Sequence, residues 1–268
     1  MLRRLLSPRW LGYLVLATLF AVACVFLGRW QWGRYEVKHA RAERVHAHYS
    51  APVQPVGDVL TSAPMPLARE WTHVTLTGRY TGTQVPVRNR PFEDALGYEL
   101  LAPVRLDSGQ TVVVDRGWVL AARDASTLPS LPALPPGEVT VTGWVKQFER
   151  HWDKPAPSGQ VSSVARADVE RITGTPVLGG YLLAGGERTA AGEWPQHPQR
   201  LGYPDTDLGP HQAYAFQWWG SAPVGFVVVL LYARRERLDE LEESGVVTAR
   251  QTRAARPKKV RIWDEEDA

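Results

Sequence analysis

The sequence predicts an α+β membrane protein in which two transmembrane helices, one near each end of the chain, flank an extracytoplasmic antiparallel β-rich domain. Three observations predict it. Residues 10–28 form an apolar run without a charged side chain. A second run begins near His211 and continues through Val227-Val228-Val229-Leu230-Leu231-Tyr232. Between the two, short stretches of alternating apolar and polar residues recur, separated by Gly, Pro, Asp and Asn, which is the pattern of half-buried strands and their turns. The chain then divides into a cytoplasmic N-terminus (1–9), helix (10–29), helical stalk (30–50), β-rich domain (51–210), second transmembrane helix (211–233) and a partly disordered cytoplasmic tail (234–268).

Composition sets the outer limits. A chain of 268 residues has room for a sizeable core. Its 31 Lys and Arg against 28 Asp and Glu leave a net charge of +3, and no basic patch interleaved with aromatics argues for a nucleic-acid partner. Cys24 is the single cysteine and lies in the first apolar run. That excludes a disulfide framework and any Cys-x-x-Cys metal or redox site. It also removes the sulfur pair that a Cu(I) site prefers, and two methionines do not make a Met-rich copper site.

The first run would cover about 28 Å as a helix, enough for the hydrocarbon core of a bilayer. Arg3, Arg4 and Arg9 before it resemble the start of a signal peptide. The run is longer than a signal peptide's apolar region, however, and it ends in Gly28-Arg29-Trp30-Gln31-Trp32 rather than a small-x-small cleavage site. It therefore reads as an uncleaved anchor. The second run carries Pro223 in its middle, which predicts a kink. Gly220, Ala222 and Gly225 beside it would let a neighbouring helix approach closely. Arg234, Arg235 and Arg237 follow this run, so the positive-inside tendency places both termini in the cytoplasm and the intervening domain outside. With no Arg/Ser-rich presequence ahead of the first span, the membrane is read as a bacterial plasma membrane.

Residues 30–49 hold strong helix formers and continue the first helix as a charged stalk. Trp71 to Tyr80, 84–88, 97–104 and 111–119 read as strands. Val139-Thr140-Val141-Thr142-Gly143 repeats the chemistry of Val74-Thr75-Leu76-Thr77-Gly78, as two related strands of one sheet would. Residues 164–172, closed by Gly174, read as a short helix, and Tyr181 to Ala184 as a last strand. Residues 123–137 form a Pro-rich excursion.

Enzyme motifs are not found: no phosphate loop, dinucleotide fingerprint, His-Glu-x-x-His or Gly-x-Ser-x-Gly occurs. The chain is read as a non-enzyme. Asp115-Arg116 at a strand end suits a structural ion pair better than a catalytic base, and Arg88, Arg90 and Arg116 could together take an anionic group. Of the seven histidines, His211 stands apart because it enters a membrane span, where ionisable groups are functional candidates. His211, Tyr214 and Trp218 follow at i, i+3 and i+7 and are expected on one helix face. An imidazole at the water end of an aromatic surface suits an iron porphyrin, and it equally suits an interfacial anchor. Both readings stand at this point.

A resemblance narrows them. Leu27 to Lys38, Trp71 with Val74 to Tyr80, Arg88-Asn89-Arg90 before Gly97 to Pro103, Val112 to Val119, Val139 to Gly143, and Pro210-His211-Gln212-Ala213-Tyr214-Ala215-Phe216-Gln217-Trp218-Trp219 resemble, in this order, the Surfeit locus protein 1 family. The family assembles haem-copper cytochrome c oxidase. The resemblance implies haem a as a transient cofactor, with His211 as ligand to its iron and Trp218 nearby; helix spacing adds Tyr214 as a candidate beside them. Arg29 and Arg116 are the candidate partners of the propionates. The implied partners are the lipid bilayer and the oxidase's main subunit, its assembly intermediates or a respiratory supercomplex. The alternative is a structural accessory subunit that never holds haem. Where family members follow the tryptophan pair with a Phe-Ala type sequence, this chain has Gly220-Ser221-Ala222-Pro223.

Overall fold

The computed structural model describes residues 7–124 and 127–244. They form two compact units, one made of the chain up to Glu36 together with the chain from Gly209, the other of Val37–Leu208. The part of the tail expected to be disordered lies outside the described residues.

The first unit is a helical hairpin. Helix α1 runs Pro8–His48 without interruption, about 60 Å at 1.5 Å per residue, so span and stalk are one helix. At the other end of the chain, α4 is His211–Ser221 and α5 is Val224–Glu243. Pro223 separates them: it lacks the N–H that would continue the helix, and its own carbonyl accepts from Val227 to start the next one. Both α1 and the α4–α5 pair are long and apolar enough to cross a membrane.

The two arms pack through a pattern with period 3.5. On α1 the least exposed positions between residues 10 and 31 are Trp10, Leu14, Ala17, Ala21, Cys24, Gly28 and Gln31, and every other residue from Leu11 to Trp30 is exposed. Spacing of four and three residues in alternation keeps one seam facing a partner helix. The partner answers with His211, Ala215, Trp218, Ala222, Gly225 and Val229 in the same alternation. Trp10, Ala17, Val229 and Ala233 form a buried cluster, with Leu14 and Phe226 against it. A Cβ added at Gly225 would stand 3.2 Å from the Ala17 Cβ, so this glycine lets the helices close. Gly220, expected to share that role, faces open space instead, because it falls outside the seam. Arg9 reaches Glu236 at 3.3 Å across the far end.

The second unit is a mixed sheet closed on itself. Its strands are β1 (Gln54–Pro55), β2 (His73–Tyr80), β3 (Val85–Phe92), β4 (Ala95–Leu106), β5 (Thr111–Leu120), β6 (Glu138–Lys146), β7 (Tyr181–Thr189) and β8 (Gly192–Glu193). The short helices α2 (Val56–Val59) and α3 (Arg166–Thr173) complete it. Pairings β2–β6, β6–β7, β7–β5, β5–β4 and β4–β2 make a ring of five, with β3 added beside β4, β1 beside β2 and β8 beside β7. The expected antiparallel sheet is therefore corrected. A ring with an odd number of strands cannot alternate direction all the way round, and β5 and β7 are its one parallel pair. The two are not consecutive in the chain: β6 runs back between them, antiparallel to β7, and the segment that carries α3 joins β6 to β7.

The strand expected to repeat another does pair with it: Thr75 lies opposite Thr142 and Thr77 opposite Thr140. The run Val112-Val113-Val114 shows why β5 is apolar at successive positions. Val112 and Val114 enter one core with Val74, Leu76, Val104, Val141 and Leu182. Val113 points the other way, into a second core with Val85, Val87, Leu101, Val164 and Val169. Successive side chains alternate across a strand, so a strand buried on both faces has no polar side. The end of α1 joins this unit through Val45, buried with Trp71 and Leu183, while Tyr49 stacks on Trp144 at 4.2 Å.

Candidate functional site

His211 is the first residue of α4. Gly209, with φ +63, and Pro210 turn the chain into the helix there. The imidazole is half-buried, and its Nδ1 lies 2.8 Å from Oε1 of Gln31, the last residue of the α1 seam named above. Nε2 of His211 has no hydrogen-bond partner among the described residues.

An aromatic wall surrounds this end of the hairpin. Trp32 lies 5.9 Å from Trp219 and 6.0 Å from Phe216, and Phe216 lies 5.8 Å from Trp219. These separations and tilts are those of interacting aromatic pairs. Trp32 is held from its own helix, where its Nε1 donates to Glu36 at 2.9 Å. Gly28 makes the wall possible, since any Cβ there would overlap the Trp219 indole. Long helical side chains lean toward the helix N-terminus, which brings Trp219 back toward the level of His211.

Gly28→Leu is accordingly expected to shorten the half-life of the detergent-solubilised protein at fixed temperature by severalfold, as overpacking at a close helix contact does. Gly12→Leu, at a position with nothing within 4 Å, should leave it unchanged. Intrinsic tryptophan fluorescence followed over time would measure both.

The site residues read from the sequence fall in different places. His211 and Trp218 share the inner seam, with Ala215 fully buried between them. Tyr214 is 46% exposed and stands off that seam. Arg29 is exposed and makes no hydrogen bond or ion pair among the described residues. Arg116 lies in the β-rich unit, inside the barrel wall. Its Nε and Nη2 bind the two carboxylate oxygens of Glu187 at 2.7 and 2.8 Å. Nη1 donates to Gln84 and to the carbonyl of Pro132, and Nη2 also reaches the carbonyls of Ala133 and Gln196. Every nitrogen of this guanidinium is engaged internally, so the expectation that Arg116 meets a propionate is corrected.

Arg88, Arg90 and Arg116 do not act as one anion site either. Arg90 sits between Glu99 at 3.1 Å and Glu149 at 2.6 Å, and these two carboxylates, not Arg116, are its partners. Asp115 is fully buried and accepts the Gly117 N–H at 3.1 Å. Burial pushes its carboxyl well above the usual aspartate range, and the nearby Glu99 charge pushes it the same way. Gly117 adopts φ +127, and a Cβ there would strike the Gln199 carbonyl. That bend turns Trp118 to exchange two backbone hydrogen bonds with Gln199.

Five of the other six histidines, all but His46, have partners of their own among the described residues. His39 meets Glu43 at 3.6 Å, His48 the Glu70 carbonyl at 3.0 Å and His151 the Asp168 carboxylate at 2.7 Å. No group of three or more potential metal-ligating side chains occurs among the described residues.

With this geometry in view, the comparisons with known proteins decide the family. The SURF1 family model matches residues 18–222. The chain belongs to the SURF1 family. An uncharacterised SURF1-like protein of Mycobacterium bovis is 31% identical over 253 residues, covering 86% of this chain and 88% of its own length. Two SURF1-like proteins of Mycobacterium tuberculosis strains, also uncharacterised, match to the same extent. SURF1 proteins are broadly associated with assembly of cytochrome oxidase, and the matched region takes in both Gln31 and His211. Sequence reading had named His211 but missed Gln31, Gly28 and Trp219. The signal for Gly28 and Gln31 is the four-and-three spacing from Trp10 to Gln31; Trp219 lies outside it and carries no such signal.

Proposed function

We propose that this SURF1-family chain is a membrane-anchored assembly factor for an aa3-type haem-copper cytochrome c oxidase, holding haem a at His211 during biogenesis of the main subunit. The observation that carries this reading is the imidazole itself. It is held through Nδ1, its Nε2 has no hydrogen-bond partner among the described residues, and it opens α4, whose Phe216 and Trp219 cluster with Trp32 of α1. The donor chemistry fits the group, because haem iron takes an axial imidazole and its macrocycle an apolar, aromatic surround. When bound, the haem would supply that iron and that macrocycle. His211 would supply the ligand, the aromatic wall would exclude water, and Arg29, exposed and without a hydrogen bond or ion pair among the described residues, would be a cation available to a propionate.

Arginines flank the two candidate spans on the same side: Arg9 before the first and Arg234, Arg235 and Arg237 within and after the second. This supports cytoplasmic termini and a β-rich unit outside a bacterial plasma membrane. The test is the visible spectrum of the protein purified from cells that make haem a. A Soret band is expected in the wild type and is expected to be lost or shifted in His211→Ala. Absence of the band, or a band indifferent to that substitution, rejects ligation.

A second reading has its own observation. The β-rich unit of Val37–Leu208 holds two complete hydrophobic cores, far more structure than a haem carrier requires. An accessory subunit that binds the oxidase or a respiratory supercomplex through this unit would co-purify with mature oxidase in constant ratio, and it would support full oxidase activity in His211→Ala.

A further inference from the structure

We propose that Gln31 is a positioning residue for His211: its amide oxygen accepts the Nδ1 proton and so leaves Nε2 as the free lone pair of the imidazole. The inference rests on the reading of His211 as a ligand, but its first test does not need the ligand.

A neutral imidazole carries one N–H, and the hydrogen bond made by one ring nitrogen decides what the other can do. With Oε1 of Gln31 2.8 Å from Nδ1, the proton sits on Nδ1 and Nε2 is unprotonated. The reverse amide orientation would donate to Nδ1, place the proton on Nε2 and close that nitrogen to a metal. Position favours the first arrangement. His211 opens α4, and the partial positive charge of a helix N-terminus attracts the carbonyl end of an amide rather than its NH2 end.

The contact is also fixed in register. Gln31 follows Gly28 by three residues on the seam of α1. Gly28 is where the Trp219 indole closes on that helix, so the tight packing at Gly28 holds the amide at the height of the imidazole. Ligating histidines commonly give their other N–H to a carbonyl or carboxylate, and loss of such a partner costs about 10–100-fold in metal affinity. Glutamine at residue 31 and histidine at residue 211 are therefore two halves of one device, 180 residues apart in sequence.

The experiment uses the full chain in detergent micelles, haem-free, with 15N-labelled histidine and His211→Ala to assign the His211 signals. Ring 15N shifts report the tautomer directly. The wild type should show the Nδ1–H form. Gln31→Met, similar in size but unable to accept, should shift the population toward Nε2–H, and Gln31→Glu, an acceptor only, should restore Nδ1–H. An Nε2–H form in the wild type, or a tautomer unaltered by Gln31→Met, overturns the proposal. Titration with haem a then reads the consequence, about 10–100-fold weaker binding in Gln31→Met with rescue in Gln31→Glu. If the wild type shows the tautomer but binds no haem, the ligation reading fails and the Gln31 assignment stands. If it binds haem with equal affinity in both Gln31 variants, the positioning role fails alone.

Discussion

Glu187→Gln is expected to destabilise the β-rich unit by about 3–5 kcal/mol, the usual cost of removing one partner from a buried ion pair. The Arg116 side chain is fully buried and that of Glu187 is 2% exposed. The two form a fork-to-fork pair, and Tyr80 donates its hydroxyl to the same carboxylate. Burial, and then the Glu187 charge, hold the Tyr80 phenol well above its ordinary value, so it stays a donor. Glutamine would keep the shape but leave the guanidinium charge uncompensated, and its NH2 would face Nη2 donor to donor. Urea denaturation of the detergent-solubilised protein, followed by near-UV circular dichroism, would measure the loss. A buried ion pair is often replaceable by apolar residues of similar volume, but Arg116→Met with Glu187→Leu would also leave Tyr80, Gln84 and the carbonyls of Pro132, Ala133 and Gln196 without their partner, so the double substitution should recover only part of the loss. If Glu187→Gln unfolds like the wild type, the pair is not the constraint it is drawn to be.

Asp115→Asn is expected to act in the opposite direction and to depend on pH. The folded state holds the Asp115 carboxyl well above its ordinary value of 3.8, first through burial and then through the Glu99 charge. The folded protein then binds a proton that the unfolded chain releases. The stabilisation is complete below that ordinary value and is lost as pH rises through the folded value, at up to about 1.36 kcal/mol per pH unit for one proton. Glu99 is also raised, mainly by burial, and adds to the slope. Glu149 is lowered, chiefly by its hydrogen bond from Arg90 against the opposing effect of burial, and contributes a slope of opposite sign at acid pH. Asparagine keeps an oxygen for the Gly117 N–H and has no proton to lose. The variant should match the wild type near about pH 4, exceed it near about pH 8, and show a stability profile flatter by close to one proton. Denaturant midpoints across that range would show it. A slope unchanged by the substitution would remove Asp115 as its source.

Much of the architecture was legible because it follows from local pattern. Both helical arms, the kink at Pro223, the strands of the ring, the place of Val74–Tyr80 and the similar 139–143 segment in one sheet, and the short helix ending at Gly174 each rest on local pattern or on a residue with restricted backbone. The sheet's closure was not legible. It depends on β2 meeting β4 as well as β6, and no residue in β2 records its second neighbour. With closure came the parallel β5–β7 pair, a consequence of ring parity rather than of any strand's composition.

The site divides in the same way. His211 could be singled out because a histidine entering an apolar run is costly and conspicuous. Arg116 drew interest for the same kind of reason, and the structure assigns it an internal partner, Glu187, distant in sequence. Tyr214 and Trp218 were placed on one face with His211 from ideal helix angles. Packing against α1 selected the narrower seam of His211, Ala215 and Trp218 and left Tyr214 outside it.

The sequence by itself determined where this chain can cross a membrane, which segments alternate as strands, that Cys24 has no second cysteine in the sequence to pair with, and which family it resembles. Those features depend on neighbours within a few residues. Only the tertiary structure decided that Gln31 faces His211, that Gly28 admits Trp219, and that Arg116 belongs to Glu187. Each of these is a contact across 71 to 191 positions of chain, set by the register of two packed elements, and register is a property of the pair rather than of either segment alone.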